Sequence, residues 1–168
     1  ELSTPITIPP VCPDCGGMLE FEGPILRCLN PTCKTQATFK LLHYASREAM
    51  DIASLGVKVA EQLVNRNLVT DFADLYSLTK EQLLTLDGFA DKKANNLLTE
   101  IERSKNQGLT RLLYGLGVRY IGKTAAKLIV SKHSDINEIL NISESELMEI
   151  DGIGEISAKS IVETFAST

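Results

Sequence analysis

A ten-residue pattern occurs four times in this chain, and that recurrence limits the possible fold more than any other feature. The copies are Ser54-Leu-Gly56-Val-Lys-Val-Ala60-Glu-Gln-Leu63, Gly88-Phe-Ala90-Asp-Lys-Lys-Ala94-Asn-Asn-Leu97, Tyr120-Ile-Gly122-Lys-Thr-Ala-Ala126-Lys-Leu-Ile129 and Gly152-Ile-Gly154-Glu-Ile-Ser-Ala158-Lys-Ser-Ile161. Their third positions, Gly56, Ala90, Gly122 and Gly154, are 34, 32 and 32 residues apart. Four residues later each copy has alanine, and seven residues later leucine or isoleucine. Spacings of four and seven lie on one face of an α-helix. A fixed period of this length means a repeated supersecondary unit that buries its apolar face against its neighbours.

Copies two and four extend the unit towards the N-terminus. Leu78-Thr79-x-x-Gln82-Leu83 matches Ile142-Ser143-x-x-Glu146-Leu147 at an offset of 64. Each is a capping box with a flanking hydrophobic staple, and so predicts a helix start. Both helices run into Asp-Gly, at Asp87-Gly88 and Asp151-Gly152. The predicted unit is helix, glycine-rich turn, helix, with motifs near 45–65, 79–102, 111–132 and 143–166. The first turn of the second helix presents unpaired N–H groups and the positive end of the helix dipole. A turn glycine beside it lets a partner's backbone approach, which makes a phosphate site out of main chain. The candidate contacts are Gly56, Gly88, Gly122, Gly152 and Gly154, with Lys58, Lys92, Lys93, Lys123, Lys127 and Lys159 near them and Arg119 just before the third turn. The plainer alternative is a helical array whose glycines only make tight turns. Ala90 replaces the second glycine of copy two, and Ser54 and Tyr120 replace the first glycine of copies one and three. Copy four alone has both, and glycine content therefore ranks it first as a phosphate grip.

Charge points two ways. The 168 residues carry a formal net charge of −5, which opposes nucleic-acid binding. Yet Arg103, Lys105, Arg111, Arg119, Lys123, Lys127 and Lys132 follow one another with no acid among them, while acids flank the run at Glu100, Glu102 and from Asp135 onward. Such a run is by itself an ordinary solvated face; beside phosphate-sized turns it becomes a candidate nucleic-acid surface.

All four cysteines lie between Cys12 and Cys33, as C-x2-C, twelve residues, then C-x4-C. Short spacing lets two thiolates of one turn reach the same ion, and Gly16-Gly17 gives the first turn its permissive backbone. Met18 to Phe21 and Ile25 to Arg27 are predicted strands joined around Gly23-Pro24. Four thiolates with no spare position make a closed, structural zinc site; two disulfides or an iron–sulfur cluster are the rival readings. A ribbon this small needs its metal, whose binding is worth about 10–16 kcal/mol in zinc-finger peptides. The expected division is a linker over 1–10, a four-cysteine ribbon over 11–40 and a helical domain over 41–168.

Four stretches carry a resemblance: Cys28-Leu-Asn-Pro-Thr-Cys33, His43-Tyr-Ala-Ser-Arg-Glu-Ala-Met-Asp-Ile52, Leu112-Leu-Tyr-Gly-Leu-Gly-Val-Arg-Tyr-Ile-Gly-Lys-Thr-Ala-Ala126 and Asp151-Gly-Ile-Gly-Glu155. Over about residues 10 to 166 the chain resembles the zinc finger and tandem helix-hairpin-helix region of bacterial NAD-dependent DNA ligases. The resemblance implies a mainly α fold, a small zinc ribbon followed by four tandem helix-hairpin-helix motifs. It implies sequence-independent binding of duplex DNA, nicked DNA above all, within an enzyme that joins 5′-phosphate to 3′-hydroxyl in replication and repair. Zinc is then structural at Cys12, Cys15, Cys28 and Cys33, and NAD serves the parent enzyme. The implied partners are duplex DNA and the parent's adenylation and oligonucleotide-binding domains. The family's adenylating Lys-x-Asp-Gly motif is missing, since Lys80 and Lys159 continue as Lys-Glu-Gln and Lys-Ser-Ile. No catalytic residue is therefore assigned, and this stretch alone is expected to be non-catalytic. Two other classes stay open: a non-catalytic module of another repair or recombination protein, and a protein–protein interaction array. His43 and His133 are solitary, and each reads as a packing or surface residue. The chain has neither an apolar run of membrane length nor a signal-peptide start, so a cytoplasmic bacterial protein with no membrane partner is expected.

Overall fold

The computed structural model describes residues 8–166. Strands β1 (Leu19–Glu22) and β2 (Ile25–Cys28) form an antiparallel hairpin with Leu19 opposite Cys28 and Glu22 opposite Ile25. Its two-residue turn starts at Gly23 with φ +59°, a conformation that suits glycine in such turns. Helices follow: α1 (Lys34–Ala45), α2 (Val57–Asn65), a 3-10 helix (Phe72–Ser77), α3 (Lys80–Leu84), α4 (Asp91–Ser104), α5 (Leu109–Gly115), α6 (Lys123–Lys132), α7 (Ile136–Leu140), α8 (Glu144–Met148) and α9 (Glu155–Ala166). The pairs α1–α2, α3–α4, α5–α6 and α8–α9 are the repeated units, and within each pair the two helices pack together. Among the described residues no helix is long and apolar enough to cross a membrane.

The repeat columns are where the packing lies. Ala60, Ala94, Ala126 and Ala158 are all 0% exposed, and so are Leu63, Leu97, Ile129 and Ile161. Alanine lets the partner helix come close, and the branched residue three positions later fills the space behind it. Burying each such leucine or isoleucine contributes about 1.5–3 kcal/mol. The described buried apolar residues fall into two clusters. One runs from Leu41 to Ile101 and includes Leu75 and Leu83; the other runs from Leu113 to Ile161 and includes Ile139 and Leu147.

Both predicted capping boxes form. The Gln82 N–H donates to Thr79 Oγ1 (3.3 Å) and the Thr79 N–H to Gln82 Oε1 (2.9 Å), with Ser143 and Glu146 doing the same at 3.3 and 2.9 Å. The unit is longer than the predicted motifs, however. The 3-10 helix and α7 precede α3 and α8, capped by Asp71 and Asp135 and burying Leu75 and Ile139.

Cys33 is the N-cap of α1, and that helix runs without a break through residues 40 and 41 into the first core at Leu41, Tyr44 and Ala45. The cysteine turns and the helical array thus share one element. The two cores meet where α5 docks on α1. Gly115 is buried there, and a Cβ on it would lie 3.1 Å from the Ala49 Cβ. Arg111 Nε donates to the Ala49 carbonyl (2.6 Å), and the same guanidinium bonds the Arg47 carbonyl. His43 stands edge-on to the Tyr114 ring with Nε2 at 2.9 Å from the Tyr114 carbonyl, so it is a packing residue. A hydroxyl chain crosses the first core: Tyr44 Oη to Tyr76 Oη (2.8 Å), Tyr76 Oη to Ser104 Oγ (3.1 Å), and Ser104 Oγ donating to the Ile101 carbonyl (2.6 Å). Burial and the neighbouring Tyr76 push the Tyr44 hydroxyl well above its ordinary range.

Candidate metal centre and nucleic-acid interface

The sulfurs of Cys12, Cys15, Cys28 and Cys33 all lie within 4.8 Å of one another, and all four residues are free thiols rather than disulfides. Their turns are shaped for this. The Cys12 N–H donates to the Gly17 carbonyl (2.7 Å) and the Gly16 N–H to the Cys12 carbonyl (2.8 Å). A Cβ on Gly17 would sit 2.7 Å from Asn30 Cβ and 3.2 Å from Cys15 Sγ, so no side chain fits there. The Gly17 N–H is aimed at Cys15 Sγ (3.4 Å), and this amide, with Asn30, holds the Cys15 thiol down at about 6. Cys28 receives an amide from Asn30 that works the same way. Burial and the neighbouring thiols outweigh that amide and push Cys28 up to about 12. Thiolates packed this closely repel one another, and a cation placed among them relieves that repulsion. A tetrahedral ion with metal–sulfur bonds of about 2.3 Å requires sulfurs about 3.8 Å apart. Cys15 and Cys28, 3.5 Å apart, are near that separation. The four cysteines can hold a metal ion with every ligand position filled by protein.

The hairpin residues are all on the surface: Gly56, Lys58, Gly88, Lys92, Lys93, Arg119, Gly122, Lys123, Lys127, Gly152, Gly154 and Lys159 are exposed. The first and third columns of the repeat have different backbones. First-column Gly88 (φ +74°) and Gly152 (φ +92°) are left-handed, and Tyr120 adopts the same region at φ +63° despite its side chain. The third column is the helix N-cap and is extended, with φ −86° at Gly56, −129° at Ala90 and −87° at Gly122. Extended backbone suits any residue. A Cβ on Gly56, Gly122 or Gly154 would meet nothing within 4 Å. Neither conformation nor packing asks for glycine at these positions.

The electrostatics divide the hairpins. The first turns of α2 and α6 hold no acid, whereas α4 begins with Asp91 and α9 with Glu155. Asp91 is paired with Lys80 at 2.5 Å. The hairpins also brace one another. The Asp87 N–H donates to Gln62 Oε1 (2.6 Å) and Gln62 Nε2 to the Asp87 carbonyl (3.2 Å), which ties α2 to the second hairpin. Leu128, at the equivalent place on α6, packs on Gly152 of the fourth.

The basic run is not a bare cationic strip. Arg103 reaches the carbonyl (3.0 Å) and carboxylate (3.4 Å) of Asp51, Lys105 pairs with Glu102 (2.6 Å), and Arg111 is used at the junction of the two cores. Arg119 pairs with Glu22 and Lys123 with Glu48. Apart from Glu102, these acids come from distant parts of the chain.

Residues 111–168 match the model of the family described as "Helix-hairpin-helix motif", and residues 46–103 that of "SAM-like Helix-hairpin-helix tandem". The two matches coincide with the two cores. Proteins named DNA ligase are similar across nearly the whole chain. That of Levilactobacillus brevis is 46% identical over 163 residues, covering 96% of this chain and 24% of the relative. That of Ligilactobacillus salivarius is 42% identical over 168 residues (99% and 25%). That of Lactobacillus gasseri is 44% identical over 165 residues (97% and 25%). The chain spans about a quarter of the length of these relatives. With its tandem helix-hairpin-helix units and four-cysteine cluster, the chain is a homologue of the quarter of these DNA ligases with which it aligns.

Proposed function

We propose that the chain is the zinc-stapled, duplex-DNA-gripping part of an NAD-dependent DNA ligase. It holds DNA regardless of sequence while the remainder of the enzyme seals a nick between 5′-phosphate and 3′-hydroxyl. The observation that carries this is the open space at Gly56, Gly122 and Gly154. Ala90 occupies the corresponding position of the second hairpin, so the fold itself accepts a Cβ there. Room left beside unpaired helix N–H groups suits an anionic backbone approaching from outside. Main-chain amides and lysines touching phosphates carry no base information, which fits an enzyme working at nicks of any sequence.

Charge makes hairpins one and three the strongest grips. Their helices start at Gly56 and Gly122 with Lys58 and Lys123 close by, whereas Asp91 and Glu155 place a carboxylate where a phosphate would sit in hairpins two and four. That order differs from the one glycine content alone gives. Zinc is the metal that best suits four thiolates in a closed tetrahedral site.

Duplex binding at low salt tests the proposal. Gly122→Val leaves the charge unchanged and blocks backbone approach, so affinity should fall at least about tenfold while the salt slope stays near its parent value. A folded Gly122→Val protein that binds duplex DNA as well as the parent would rule out a main-chain grip at hairpin three.

A further inference from the structure

Glu22, at the end of β1, reaches across 98 residues to hairpin three. Its Oε1 accepts from the Tyr120 hydroxyl at 2.7 Å, and its Oε2 is paired with Arg27 Nε at 2.5 Å and with Arg119. Two guanidiniums on one carboxylate leave a net positive charge. Oε2 is closed to solvent and is held by charge rather than by a well-aligned hydrogen bond. Tyr120 takes its left-handed backbone where the second and fourth hairpins use glycine, a cost borne by a residue whose ring is exposed and whose hydroxyl points at this anion.

We propose that Arg27, Arg119 and the Tyr120 hydroxyl form a phosphodiester-binding site, which Glu22 fills when no nucleic acid is bound. The proposal rests on the DNA-gripping function and adds the cysteine ribbon to the contact surface through Arg27. A phosphate brings more acceptor oxygens than a carboxylate and can satisfy both guanidiniums at once. Glu48, paired with Lys123 at the start of α6, is a second internal carboxylate on the same hairpin. The third hairpin, which has no acid in its own first turn, is therefore neutralised by acids from elsewhere in the fold. A chain carrying −5 overall can bind a polyanion in this way, because the phosphates displace its own carboxylates.

The test measures duplex affinity against salt for the whole chain and for Glu22→Gln, Arg27→Gln and Tyr120→Phe. Glu22→Gln should bind about 3- to 10-fold more tightly, with the slope steeper by about 0.9 for each phosphate newly neutralised. Arg27→Gln should bind a few-fold more weakly with a flatter slope, and Tyr120→Phe a few-fold more weakly with the slope unchanged. A folded, metal-replete Glu22→Gln protein that binds no better than the parent overturns the site while leaving the DNA grip intact. Should Glu22→Gln lose its metal or its fold, an unchanged affinity and slope in Arg27→Gln overturns the site instead. A DNA-free arm titrates pyrophosphate and follows the Arg119 and Tyr120 amides by NMR. Saturable shifts, at lower concentration in Glu22→Gln than in the parent, support the site even if duplex binding fails, and no shift in either protein overturns it.

Discussion

At Tyr120 the chain carries a tyrosine where two sister hairpins have glycine, and the backbone keeps the left-handed conformation. That conformation costs a non-glycine residue about 1–2 kcal/mol, so Tyr120→Gly should raise the melting temperature unless the loss of the Glu22 contact offsets the gain. Comparison with Tyr120→Phe, which keeps the strain and loses only the hydroxyl, separates the two terms. Asp74 poses a second question at this scale. Its carboxylate accepts from the Thr70 N–H and hydroxyl, each at 2.8 Å, and from the Asp71 N–H at 2.9 Å. These bonds, the Thr70 amide foremost, hold its pKa below the ordinary value. A lowered folded pKa means stability that is present above the unfolded pKa and lost as pH falls through the folded one. Asp74→Asn should therefore melt below the parent at neutral pH, and the gap should close on acidification. A gap that does not depend on pH would show that the charge is not what matters.

Among the elements, those with a repeated signature were legible beforehand. Thr79 and Ser143 announce α3 and α8, and the alanine columns announce the second helix of each unit. Thr79→Ala should cost about 1 kcal/mol of stability as a lost cap, read by denaturant titration. Leu97→Ala should cost about 2–5 kcal/mol because the site is fully buried. The 3-10 helix and α7 went unpredicted because five or six residues make at most about two turns, too short to display a helical period. Their signal was present at the same offset of 64 as the capping boxes, in Asp71 with Asp135 and Leu75 with Ile139. In the candidate site, the cysteine cluster followed from spacing alone. The pairing of Arg119 with Glu22 and of Lys123 with Glu48 could not, since local sequence carries no trace of a partner 97 or 75 residues away. Left-handed Tyr120 was hidden for a related reason: its side chain argues for one backbone and the repeat position for another.

On the scale of the whole molecule, two helical cores and a four-cysteine ribbon are joined by α1 and α5. The close approach at Gly115 makes that junction sensitive to volume. Gly115→Val should loosen it, and cleavage by a nonspecific protease should increase in the segment between Ser104 and Leu109 while each core stays helical. Chelating the metal, or Cys28→Ser, should unravel the ribbon with little loss of far-ultraviolet helix signal, because both cores lie outside it. The continuous helix α1 has a less obvious consequence. With Cys33 as its N-cap, an ion held by the four cysteines would fix the end of a rod about 18 Å long whose other end is set in the first core. When the ion leaves, the helix should fray from that end only, and amide exchange with deuterium should quicken steeply at Thr35 and Gln36, fade by Leu41 and vanish at Tyr44. An ion bound there would set the angle at which the ribbon meets the helical array, like a pin at the end of a lever.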